Sequence, residues 1–124
     1  MTRFLAIIWL IIIAVLHAVP GSELPTPTFF DFLQLDKFVH AFLFFVAILL
    51  IASQYTPQHF FRKERFILTC LVAYGFILEC CQAYFFIERS MDILDWFADC
   101  LGVVFGVLIV RKFPRIQSYV FKKS

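Results

Sequence analysis

The sequence predicts an all-α protein, a four-transmembrane-helix bundle with both termini cytoplasmic. Three observations carry that reading. The 124 residues are 62% hydrophobic and include 18 Phe, more apolar surface than a soluble domain of this length can bury. The apolar residues gather in four runs, each near the ~20 residues needed to cross ~30 Å of hydrocarbon. Lys and Arg fall almost wholly on one side of those runs. One membrane domain spans 1–124, and a net charge of +2 is too small to point to nucleic acid.

The first run, FLAIIWLIIIAVLHAV (4–19), follows Arg3 and precedes AVPGS. It is long for the apolar part of a signal peptide and shows no A-x-A site, so it reads as an uncleaved helix. The second, FVHAFLFFVAILLIAS (38–53), follows a Pro-rich stretch ending in Asp36 and Lys37. The third is FILTCLVAYGFILECCQAYFFI (66–87), after the charged loop QYTPQHFFRKER. The fourth is ILDWFADCLGVVFGVLIV (93–110), and 111–124 form a basic cytoplasmic tail suited to anionic headgroups. Were the fourth run to start after Asp99, eleven residues would remain, or ~16 Å. Asp95 and Asp99 therefore enter the membrane with it.

Orientation follows from the basic residues. Arg3, Arg62, Lys63, Arg65, Arg111, Lys112, Arg115, Lys122 and Lys123 share one side, against Lys37 and Arg89 on the other. Of the acids, Glu64 alone is on the basic side; Glu23, Asp31, Asp36, Glu79, Glu88, Asp92, Asp95 and Asp99 belong to the outer half.

Carboxylates in hydrocarbon are the feature that asks for a function, since each costs about 2.5–3.5 kcal/mol at a helix centre. Asp99 lies ~10 Å in from Asp92, Glu79 ~12 Å from the end of run three, and His40 one turn below Asp36. Three helices thus bring polar groups to one level, and His17 is a candidate fourth contributor. Asp92, Asp95, Asp99, Gly102 and Gly106 follow a 3-4-3-4 spacing, one stripe on one helix face. Gly102-x-x-x-Gly106 permits close backbone approach, so the stripe should face the bundle. Glu79 and Gln82 share a face, as do Asp36 and His40. His40, Gln82, Lys37 and Arg89 are the expected partners of the aspartates. Cys70, Cys80, Cys81 and Cys100 sit inside apolar runs without CxxC spacing and read as small buried hydrophobes. Trp9 and Trp96 read as ordinary apolar residues, and His59 as solvated in a basic loop.

At these residues the chain resembles the VanZ-like family of small bacterial membrane proteins. The match lies in DKFVH (36–40), ECCQ (79–82) and RSMDILDWFADCLGVVFG (89–106). The family pattern runs D-K-x-x-H, E-x-x-Q, then R-S-x-D-x-x-D-x-x-x-N-x-x-G-x-x-x-G, over about 70 residues. Asp99 stands where the family usually has Asn, and Phe44 where Tyr is common. The resemblance implies a helical bundle, a place in the bacterial cytoplasmic membrane, and a role at the cell envelope, since the family's name comes from a member linked to teicoplanin resistance. It implies no reaction.

Two function classes follow. In the first, the cluster binds or acts on a polar envelope ligand, such as a lipid-linked cell-wall precursor or a phospholipid headgroup. His40, Glu79, Asp95 and Asp99 are the candidate acid, base or ligand-contacting groups; Asp36, Lys37, Gln82, Arg89, Ser90 and Asp92 are candidate binding residues. Lys37 and Arg89 suit phosphate or carboxylate. Three carboxyls crowded into low dielectric cannot all stay ionised cheaply, and one that keeps its proton could serve as a general acid, with His40 as base. Metal binding is a variant, with His40, Glu79, Asp95 and Asp99 as ligands, although no HExxH-type signature is present. In the second class the protein is not an enzyme: its polar cluster is structural, and it acts through a partner. A proton path ranks last, because the inner halves of runs two and four are apolar.

Overall fold

A computed structural model describes residues 2–18, 35–85 and 91–114. They form four helices, α1 (Thr2–His17), α2 (Leu35–Ala52), α3 (Pro57–Phe85) and α4 (Ile93–Lys112). The all-helical prediction therefore holds. α2, α3 and α4 are each long and apolar enough to cross a membrane. α1 is equally apolar but has 16 residues, or ~24 Å at 1.5 Å per residue.

The helix bounds differ from expectation mainly in α3. It starts at Pro57, nine residues before Phe66, so the loop expected over 54–65 shrinks to a turn at 53–56. Proline at the first helical position lacks only an N–H that would have no partner there. The Thr56 carbonyl then accepts the Phe60 N–H at 2.9 Å, and Thr56 Oγ1 lies 2.9 Å from Nδ1 of exposed His59. Hydropathy marks where charge begins, not where the helix does. α2 likewise begins at Leu35 and takes in Asp36 and Lys37.

The buried residues of each helix lie on one stripe. On α3 they are Phe60, Glu64, Ile67, Leu71, Gly75, Glu79 and Gln82, spaced by threes and fours. On α4 they include Asp95, Asp99, Gly102, Gly106 and Val110, so the acidic stripe does face the bundle. The opposite faces are apolar and bare: Phe38 is 74% exposed, Phe66 71% and Phe85 77%. A fold that buries Glu64, Glu79, Asp95 and Asp99 while it exposes these phenylalanines suits a hydrocarbon solvent.

α2 and α4 make the most extensive helix contact. Its basis is the glycine pair. A Cβ on Gly102 would sit 2.1 Å from the Ala41 carbonyl oxygen, and one on Gly106 2.2 Å from Ile48 Cγ2. Without side chains there, the two backbones meet. Phe44, Ile48, Leu71, Val103 and Val107 fill the space below the polar level.

Three hydrogen bonds between helices come from aromatic side chains to which sequence gave no role. Trp9 Nε1 donates to the Leu43 carbonyl at 2.9 Å, Tyr74 Oη to that of Leu10 at 2.7 Å, and Trp96 Nε1 to that of Val72 at 3.0 Å. Each polar tip finds an acceptor on a neighbouring helix while its ring packs against apolar groups. The cysteines are a correction. Cys70 is exposed and the other three are half-buried, all as free thiols. At the far end from the polar cluster, Arg111 grips buried Glu64 with two hydrogen bonds, Nε to Oε2 at 3.0 Å and Nη2 to Oε1 at 2.5 Å. Glu64 is thereby paired, and α3 is tied to α4.

Candidate functional site

The end of α1, the start of α2, the end of α3 and the start of α4 converge, and each delivers a polar side chain to one place. Glu79 and Asp99 are both fully buried there. His40, half-buried on α2, has Nδ1 3.0 Å from Asp99 Oδ1 and Nε2 3.9 Å from Asp95 Oδ2. Its ring stands edge-on to that of His17, with centroids 4.7 Å apart. His17 is 3% exposed, and its Nε2 lies 3.8 Å from Glu79 Oε1.

Lys37 closes the outer rim. Its ammonium donates to Asp95 Oδ1 at 2.8 Å and to Asp92 Oδ2 at 3.2 Å, with Asp36 Oδ2 at 3.6 Å. One cation on α2 thus holds two aspartates of α4. Asp36 reaches the cluster only through Lys37; its own side chain is 60% exposed and points outward.

Asp92 caps α4. Its Oδ1 accepts the Leu94 N–H at 2.8 Å, as an N-cap aspartate should. Burial works against its charge, but the Leu94 amide and the Lys37 ammonium outweigh burial and hold the carboxyl below its ordinary value. The Asp92 main-chain N–H donates to Glu79 Oε2 at 3.1 Å. Glu79 therefore reaches from α3 to the amino end of α4, where the helix dipole favours a negative charge. This role needs the fold to be seen, since 13 residues separate the two groups.

Of the expected site residues, the structure assembles His40, Glu79, Asp95, Asp99, Lys37 and Asp92. Gln82 does not bond to an aspartate as expected. It is buried, and its amide donates to the His17 carbonyl at 3.0 Å, satisfying an acceptor at the end of α1. Arg89 and Ser90 lie outside the described residues.

His17, the candidate fourth contributor, does join the cluster beside Glu79. One contributor was not expected. Gly75 lies one turn before Glu79 on the same face. A Cβ there would come within 2.8 Å of Asp99 Oδ2 and 3.2 Å of Phe44 Cζ, so its bareness makes room for the Asp99 carboxylate.

Two oxygens in the cluster, Glu79 Oε1 and Asp99 Oδ2, are buried with no hydrogen-bond partner among the described residues. Beside the cluster, an apolar groove of about 370 Å³ runs along α1 from Ile7 to Ala18 and is closed on one side by Tyr74. Compared with family models, with curated proteins and with solved structures, the chain shows no match.

Proposed function

We propose that this is a VanZ-like, multi-pass protein of the bacterial cytoplasmic membrane. All four helices span, and both termini face the cytoplasm. The polar cluster at the outer-leaflet end binds, or acts on, a polar cell-envelope ligand carried on a lipid. The observation that carries this reading is the pair of fully buried carboxylates, Glu79 and Asp99, set among two histidines and a lysine with one oxygen of each left without a hydrogen bond among the described residues. Unsatisfied buried polar atoms are costly, and a cluster selected for packing alone would close them. The groove beside α1 supports a lipid ligand, because it runs up to the helix end that carries His17. Lys37 provides a cation for phosphate or carboxylate at the rim.

One observation favours the second reading, a structural plug. The Lys37 ammonium is already engaged by Asp92 and Asp95. A ligand anion must compete with those carboxylates.

Native mass spectrometry of gently purified protein, wild type beside Glu79→Gln, separates the two. A lipid-linked species is expected on the wild type and lost from the variant. Equal retention by both, or none by either with the bundle intact, rejects the ligand site. The topology has its own expected result: a phosphatase that works only outside the cytoplasm, fused after Ser124, stays inactive. An active fusion would place the cluster at the inner leaflet and overturn the envelope reading.

A further inference from the structure

We propose that His17, His40, Glu79 and Asp99 form a site for one divalent transition-metal ion of the zinc class. This goes beyond the ligand reading above and does not require it. Each helix supplies one ligand, and one donor atom from each residue lies within 4.8 Å of every other. In a tetrahedral site with bonds of ~2.0–2.1 Å, donors sit ~3.3 Å apart. The His40 Nδ1 to Asp99 Oδ1 distance of 3.0 Å and the His17 Nε2 to Glu79 Oε1 distance of 3.8 Å bracket that value. The wider pairs close by side-chain movement on binding, and the ion takes the place of the hydrogen bond between His40 Nδ1 and Asp99 Oδ1.

Three further features fit a metal. His17 Nδ1 is 2.8 Å from the Ile13 carbonyl, which can only accept, so that nitrogen carries a proton and Nε2 is the ring atom turned toward Glu79. A backbone carbonyl on the far nitrogen is the usual support of a metal-bound histidine. Glu79 and Asp99 are fully buried, and Glu79 Oε1 and Asp99 Oδ2 have no hydrogen bond among the described residues. Finally, two carboxylates, two neutral imidazoles and one divalent cation sum to zero charge, the state a low-dielectric site tolerates best.

The donor set selects the ion. Two imidazoles and two carboxylates suit zinc, cobalt or iron(II), whereas calcium needs six to eight oxygens and magnesium an oxygen octahedron. Asp95 stays outside the set, since Lys37 neutralises it at 2.8 Å.

The test uses the untagged full-length chain in micelles, stripped with chelator and titrated with Co²⁺. One equivalent per chain is expected, with the visible d–d bands of four-coordinate cobalt, bleached by Zn²⁺. Zn²⁺ should also raise the thermal midpoint. His17→Gln and Asp99→Asn, the latter keeping the shape that packs against Gly75, should each weaken binding at least about 100-fold. His59→Gln, at the exposed start of α3 and away from the cluster, should bind as wild type does. No uptake by folded wild type, or unchanged spectra and affinity in both ligand variants, overturns the site. Lipid measured on the same samples keeps the two ideas apart: lipid without metal overturns this inference alone, and metal without lipid overturns the ligand reading alone.

Discussion

A Gly102→Val chain is expected to lose the bundle rather than loosen it. The three nearest atoms to a Cβ at 102 are the oxygen, carbonyl carbon and Cα of Ala41, at 2.1, 2.8 and 3.0 Å. All are backbone, so no side chain can rotate away. Relief requires α2 and α4 to part by more than about 1 Å, which opens the contact lower down at Gly106 and pulls Asp99 from His40. Overpacking absorbed by side chains costs about 1–3 kcal/mol. With backbone on both sides the cost should exceed about 3 kcal/mol, a large share of a typical 5–15 kcal/mol stability. Gly106→Ala should be milder, because its first clash is with the Ile48 side chain. Yield of folded protein from membranes and thermal midpoint in detergent read both variants. Even Gly102→Ala should be severe, since it adds the same Cβ; wild-type behaviour there would mean that the helices do not meet so closely.

That seam was legible in the sequence because a helix repeats. Asp92, Asp95, Asp99, Gly102 and Gly106 had to share a face whatever the rest of the chain did, and the cost of charge in hydrocarbon decided which way the face turned. The same logic placed Glu79 with Gln82 and brought His40 to the level of Asp99. What periodicity does not encode is which groups meet across helices. Gln82 was expected on an aspartate and instead satisfies the end of α1. Glu79 takes the Asp92 N–H, and the tips of Trp9, Tyr74 and Trp96 find carbonyls on neighbouring helices, because a bonded helix carbonyl keeps a second lone pair. Gly75 reads as a small residue in an apolar run until the Asp99 carboxylate is seen against it. The start of α3 was misplaced for a different reason: charge ended the hydropathy signal, while Pro57 and Thr56 began the helix.

Lys37→Met should destabilise the polar-cluster end of the bundle by about 2–3 kcal/mol, below the roughly 3–5 kcal/mol of a fully buried pair because the rim is partly wet. The lysine side chain is 20% exposed and Asp95 12%, so their 2.8 Å contact is largely out of solvent, whereas Asp92 at 42% is better hydrated. Methionine keeps most of the aliphatic stem and removes the charge. Asp95 then faces Asp92, one turn away on the same helix, with no cation between them, and its repulsion reaches His40 through the 3.9 Å contact. Adding Asp95→Asn removes one of the two uncompensated charges and should recover most of the loss. Adding Asp36→Asn should recover little, because Asp36 sits 3.6 Å from the ammonium and mostly in solvent. A double-mutant cycle on thermal or denaturant midpoints measures the difference. Strong coupling of Lys37 to Asp95 with weak coupling to Asp36 would establish the lysine as the clamp that fixes α4 against α2 at the site. Equal, weak coupling to both would mean that Lys37 is a hydrated rim charge, free to hold an incoming anion without first giving up its aspartates.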